Sequence, residues 1–191
     1  GFGRRARDTS PEAVYALILY QTGALAAFVR AAGTRLHHVK PHGALYNLAA
    51  RDAGVADAIA RAVRDFDPQL WLYGLANSAL TAAGERLGLR VAHEAFAERR
   101  YLADGGLVPR SEADAVIHDV DDAARQVTRM LRTHHVTARG GVELPIRADT
   151  LCLHGDRADA AAFAAALHRA IESAGFEARR LPDPHPTEDS P

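Results

Sequence analysis

An α/β fold with a parallel sheet is predicted by three observations. Apolar segments of strand length alternate with helical patterns along most of the chain. Those segments are apolar in continuous runs, as strands covered on both faces are, rather than alternating. Four polar clusters follow predicted strands directly, which is where ligands gather in this class of fold. The pattern by itself suits an open doubly wound sheet and a barrel equally.

The elements follow in order. Ser10-Pro11-Glu12 opens the first helix: Ser10 caps it, Pro11 suits the first helical position and Glu12 favours its positive end. Val14, Leu17, Ile18, Gln21, Leu25, Phe28 and Val29 then recur at helical spacing, and Gly33 ends the run. Residues 36–39 read as a buried strand. It runs into Lys40-Pro41-His42-Gly43-Ala44-Leu45-Tyr46-Asn47 and an alanine-rich helical pattern. Val55, Ile59, Val63 and Phe66 form the next stripe, stopped by Pro68. Residues 70–73 predict a strand ending at Gly74, and residues 78–87 a helix closed by Gly88.

Residues 89–92 predict a strand that delivers His93 and Glu94 at its end. A short strand over 115–117 precedes Asp119, Asp121 and Asp122, which favour a helix start. Val127, Met130, Leu131 and His134 share one face of that helix. Gly140-Gly141 lies between alternating residues of 136–146, the pattern of a hairpin. Residues 150–153 predict a strand presenting His154-Gly155-Asp156. A helix over 158–174 is stopped by Gly175, and 176–179 suit a last strand. Proline and charge dominate from Pro182, so 182–191 are expected to form a frayed tail after one domain over 1–181.

At 191 residues the chain suits one core. Its 23 Lys plus Arg balance 24 Asp plus Glu, for a net charge of −1, unlike a general nucleic-acid surface. The single Cys152 excludes an internal disulfide. No apolar run reads as membrane-spanning and no signal-peptide pattern opens the chain, so a cytoplasmic protein without membrane or nucleic-acid partners is expected. The first residue is Gly1, which suggests a fragment or a processed product.

The polar clusters place Lys40, His42, Asn47, Glu94, Arg99, Asp104, Arg110, His154 and Asp156 along one rim of the sheet. A shared rim is what a composite site needs, because no single loop surrounds a substrate. Plainer roles compete for some residues. Asn47 suits a cap of the following helix, and Asp156 a cap of the helix near residue 158. Cys152 suits a core position, His37 and His38 an exposed approach to their strand, and His134 and His135 a helix end. No HExxH spacing is present.

Four further segments extend the pattern. Gly1-Phe2-Gly3-Arg4-Arg5 opens the chain. His93-Glu94-Ala95-Phe96-Ala97-Glu98-Arg99-Arg100-Tyr101, Asp104-Gly105-Gly106-Leu107-Val108-Pro109-Arg110 and Cys152-Leu153-His154-Gly155-Asp156 follow the KPHG segment. Together, in this order, they resemble the LamB/YcsF family, whose members form the A component of the bacterial ATP-dependent 5-oxoprolinase. The resemblance runs from the first residue to about Gly175. It implies a seven-stranded (β/α) barrel of the polysaccharide-deacetylase type. That family opens with Asp-Leu-Asn-Cys-Asp-Leu-Gly-Glu, then Phe-His-Ala-Gly-Asp and Ala-His-Pro, none of which occurs here. An incomplete barrel lacking its N-terminal strands is therefore expected, with an apolar seam that needs a cover. The family pattern Glu-x-Phe-Ala-Asp-Arg also meets Glu98 in place of its aspartate.

The resemblance implies hydrolysis of the 5-oxoproline lactam to glutamate with ATP cleavage, in company with 5-oxoprolinase subunits B and C. The lactam is a stable amide, and phosphorylating its oxygen turns that oxygen into a leaving group. Lys40, Arg99 and Arg110 are the candidates for holding the carboxylate and polyphosphate and for stabilising charge. Glu94, His42, His154 and Asp156 are the candidates for proton transfer, with Glu94 first. Asp156 could also orient His154 or meet a divalent cation such as magnesium beside the phosphates. Asn47 and Asp104 complete the substrate-binding set. Two alternatives are a metal-dependent carbohydrate deacetylase, which would need an Asp-His-His cluster, and a non-catalytic truncated scaffold.

Overall fold

The protein is described by a computed structural model covering Gly3, Arg5 and residues 7–185. The predicted motif residues Gly1, Phe2 and Arg4, and the tail beyond residue 185, lie outside the described residues. Where the sequence reads as one domain, the chain gathers into two compact units. One is Gly1–His93 with Pro182–Pro191, and the other is Glu94–Leu181.

The first unit carries α1 (Pro11–Ala31), β1 (His38–Val39), α2 (Gly43–Ala49), α3 (Ala53–Phe66), β2 (Trp71–Leu75), α4 (Ala79–Arg86) and the start of β3 (Arg90–Phe96). β1 pairs in parallel with β2, His38 opposite Trp71 and Val39 opposite Leu72. The helix starts follow from local chemistry. Ser10 accepts the Ala13 N–H at 3.3 Å, and Asp52 Oδ1 accepts the Val55 N–H at 3.0 Å. Ser78 and Thr81 bond reciprocally as a capping box. Asp52, not Asn47, therefore caps the helix after α2.

Val55, Ile59 and Val63 of α3 pack with Leu70, Leu72, Leu80 and Val91 to form this unit's core. α4 approaches closely because of Gly84. A Cβ there would stand 2.7 Å from Val91 Cγ2 and 3.0 Å from Leu72 Cδ2.

The residues that recur at helical spacing in α1 are only partly covered. Val14, Ile18 and Thr22 are buried, whereas Leu17, Leu25 and Phe28 are 41%, 55% and 76% exposed. Tyr15 donates its hydroxyl to Asp65 Oδ2 at 3.0 Å, which ties the covered side to α3. The expectation of no apolar run of membrane-spanning length is corrected too. The 21 residues of α1 are long and apolar enough to cross a bilayer by length and composition alone. Alanines, a glycine and a threonine between its larger side chains dilute that signal in the sequence.

The frayed tail is corrected for residues 182–185. Trp71 Nε1 donates to Pro182 O at 3.0 Å and Arg90 to Pro184 O at 3.1 Å. His185 Nε2 lies 3.1 Å from Asp67 Oδ2. Composition predicted disorder there, yet the prolines present carbonyls that the first unit's donors take.

The second unit holds the end of β3 with α5 (Val120–Thr133), β4 (His135–Thr137), β5 (Glu143–Pro145), β6 (Thr150–Cys152) and α6 (Ala160–Ser173). β3 pairs in parallel with β6, Glu94 opposite Thr150 and Phe96 opposite Cys152. β4 and β5 form the predicted antiparallel hairpin. Gly140 and Gly141 take φ of 90° and 85° in its turn, a region open to glycine. Val127, Leu167 and Ile171 make one core cluster, and Ile117, Ala123 and Phe163 another.

Three predicted elements differ. β3 runs on to Phe96, so His93 and Glu94 lie inside the strand instead of beyond it. The expected strand over 115–117 is reduced to a single bridge between Arg99 and Val116. Residues 176–179 form no strand. Six helices and parallel strand pairs among the described residues make the protein α/β, as the sequence predicts.

Candidate functional site

In the first unit, β1 hands the chain to Lys40 and His42 at the start of α2. His42 occupies the N-cap position in an extended conformation, and its imidazole makes no capping bond. The exposed Lys40 Nζ stands 5.7 Å from the centroid of the buried Tyr46 ring, a cation–π approach. Asn47 lies within α2 and donates Nδ2 to Gly43 O at 3.3 Å. Tyr46 thus supports Lys40 from one helical turn away, while His42 and Asn47 remain exposed.

Two histidines of this unit have partners that the sequence did not reveal. His38 belongs to β1 and stacks on Tyr73 with centroids 4.3 Å apart. His93 is buried, and its Nδ1 accepts the Asn77 N–H at 3.2 Å. Its Nε2 therefore carries the proton of the neutral ring, directed at Glu85 Oε1 3.1 Å away. Both nitrogens of His93 are occupied.

In the second unit the turn after β3 is held by side chains. Gln126 of α5 donates Nε2 toward the carbonyls of Phe96, Ala97 and Arg99 at 3.2, 3.1 and 3.0 Å. The Tyr101 hydroxyl accepts the Phe96 N–H at 2.8 Å. Burial pushes the Tyr101 phenol well above its ordinary range. This frame directs Glu98 and Arg99 into the interior, where both are buried.

Arg99 spends its donors on the backbone. Nη2 reaches Val108 O at 2.6 Å and Nε reaches Ala115 O at 3.3 Å. Burial lowers its guanidinium below the ordinary value, and the charge of Arg110 adds to that. The geometry is that of a strut shaping residues 99–116. Glu94 is buried in β3, and Asp104 folds back so that Oδ1 accepts the Gly106 N–H at 2.8 Å.

Glu98 meets His154 across the site. Its Oε1 accepts the backbone N–H of His154 at 3.2 Å and also meets His154 Nδ1. An ionised carboxylate only accepts, so Nδ1 is the donor and carries the ring proton. The imidazole stacks on Phe96 with centroids 5.7 Å apart. Its side chain is 31% exposed, against 5% for Glu98. Arg110 Nη1 then bonds Asp156 Oδ2 at 3.0 Å, two residues beyond His154. That bond holds the Asp156 carboxyl below its usual range. Asp156 does not cap α6, whose N-cap position is Asp159.

His154, Asp156, Arg110 and Glu98 are thus brought together in the second unit, with Arg99 and Glu94 inside its frame. Glu98 was noted in the sequence only as a change from the family pattern. Its position four residues after Glu94 and next to Arg99 was the available signal. Among the described residues, no group of three or more His, Cys, Asp and Glu side chains could hold a metal ion.

The sequence pattern of the LamB/YcsF family matches residues 1–185. A relative from Geobacillus kaustophilus strain HTA426, described as the A component of 5-oxoprolinase, is 55% identical over 176 residues, covering 92% of this chain and 69% of the relative. A protein of the same description from Bordetella pertussis strain Tohama I is 53% identical over 92% of this chain and 70% of its own length. The crystal structure of the lactam utilization protein from Thermus thermophilus superposes with a TM-score of 0.84 at 50% identity, covering 95% of this chain and 72% of that one.

Proposed function

The chain belongs to the LamB/YcsF family, and from that premise we propose that it serves as the A component of an ATP-dependent 5-oxoprolinase. The observation that carries this reading is the likeness over 92% of the chain to relatives of that description. The proposal includes the seven-stranded (β/α) barrel, a cytoplasmic setting and association with subunits B and C.

The chemistry asks for an activated carbonyl, a proton acceptor and cations. ATP phosphorylates the amide oxygen of 5-oxoproline, with a divalent cation such as magnesium accompanying the nucleotide. Water adds to the activated carbon, the C–N bond breaks and the ring nitrogen takes up a proton, leaving an acyl phosphate that a second water hydrolyses to glutamate and phosphate. In the second unit, Glu94, His154 and Asp156 are assigned to proton transfer and Arg110 to an anionic group of the substrate. Asp104 completes that set, and Arg99 supports it through the backbone it holds. In the first unit, Lys40 supplies a point charge, and His42 and Asn47 offer polar contacts near it.

The test combines the protein with subunits B and C, ATP and 5-oxoproline and measures glutamate. ATP-dependent glutamate formation that needs all three proteins is the expected result. A complete mixture that forms no glutamate would sink the reading.

A further inference from the structure

We propose that Glu98 is a positioning residue that sets the tautomer of His154, so that the imidazole Nε2 acts as proton acceptor and then proton donor at the lactam. This inference rests on the 5-oxoprolinase reading and deepens it.

Three features of the pair carry it. Glu98 Oε1 receives two donors from one residue, the His154 backbone N–H and Nδ1. A ring held at its backbone and at Nδ1 has its position and its tautomer determined together. The carboxylate is buried while the imidazole is partly exposed, so the free edge of the ring is the edge that a ligand can reach. Among the described residues, Nε2 of His154 has no protein partner, in contrast to His93, whose two nitrogens are both engaged.

The second oxygen of the carboxylate strengthens the case. Glu98 Oε2 is buried and makes no hydrogen bond among the described residues. Its charge is therefore answered mainly through the imidazole, with Arg99 and Arg157 contributing at longer range. A carboxylate with so little competition is placed to make a charge-assisted hydrogen bond to the ring when Nε2 takes a proton. Asp156 also faces His154, and Arg110 engages it.

The proton balance is simple. As the oxygen of water bonds to the activated carbonyl carbon, Nε2 removes its proton. When the C–N bond breaks, the same proton goes to the ring nitrogen, and the imidazole returns to its neutral form. Glu98 itself exchanges no proton in these steps and touches no substrate.

The test has two arms. Nitrogen-15 NMR of the imidazoles in the isolated chain, with His154 assigned through H154Q, should show the proton on Nδ1, and E98Q should lose that preference. A His154 protonated on Nε2 in the unaltered protein would overturn the proposal. In the second arm, the protein assembled with subunits B and C is assayed for glutamate. Glu98→Gln should lower kcat about 100-fold or more with KM changed less than about threefold. Glu98→Asp, which keeps the carboxylate, should recover part of that loss. An active complex in which Glu98→Gln retains kcat within about threefold overturns the role of Glu98 and leaves the 5-oxoprolinase reading standing. An unaltered complex that makes no glutamate overturns the reading and the catalytic role together.

Discussion

Arg110 and Asp156 join two loops of the second unit through a 3.0 Å hydrogen bond between Nη1 and Oδ2. One loop follows β3 and the other follows β6, so the pair closes the side of the site next to His154. Both side chains are more than a third exposed, which limits the pair's contribution to stability and leaves it free to open for an anionic ligand.

Asp156→Asn removes this pair. The expected loss of stability at neutral pH is under about 1 kcal/mol, because solvent screens an exposed pair. The folded-state pKa of Asp156 is depressed by Arg110. The pair's contribution is therefore present above the unfolded carboxylate value and disappears as pH falls through the folded one. Thermal melts of the two proteins should differ slightly at pH 7 and converge in strong acid. A gap that widened toward acid would contradict the assignment.

Lys40→Ala changes an exposed side chain that approaches the Tyr46 ring. Its melting temperature should stay within a few degrees of the parent. Glutamate formation in the assembled enzyme should fall by about 100-fold or more if Lys40 meets the developing charge. Full activity would remove Lys40 from the site.

Arg99→Ala strands the carbonyl of Val108, whereas that of Ala115 keeps the Arg100 N–H at 3.1 Å. Leaving one buried acceptor unsatisfied costs about 1–3 kcal/mol, and urea unfolding should show it directly. The result separates two roles. A variant of parental stability that has lost activity would return Arg99 to substrate binding, whereas a destabilised one marks it as a strut.

Gly84→Ala places a methyl group 2.7 Å from Val91 Cγ2 and 3.0 Å from Leu72 Cδ2. Overpacking of this kind costs about 1–3 kcal/mol even though alanine favours helices. Denaturant unfolding should show a lower midpoint. A stabilised variant would mean that α4 is free to shift.

Much of the local structure could be read in advance. The Ser10 cap, the Val55–Ile59–Val63 stripe and the Gly140-Gly141 hairpin all depend on neighbours a few positions away. Periodicity named Leu25 and Phe28 as apolar helix positions, but not whether anything covers them, and they are exposed. Arg99 illustrates the reverse. A cation following a strand looked available to substrate, yet its guanidinium turns inward to two carbonyls.

The amino-acid order by itself determined the succession of helices and strands, their caps, and the polar residues that follow each strand. These depend on backbone preferences and side-chain spacing, which act over one or two turns of chain. The tertiary structure alone decided which of those polar residues meet. Glu98 and His154 lie 56 positions apart, and no local pattern links them. Their contact exists because β3 and β6 pair in register and Gln126 fixes the turn between them and the interior. Burial and hydrogen-bond partnership are properties of packing, so that pairing became visible only once the strands stood side by side.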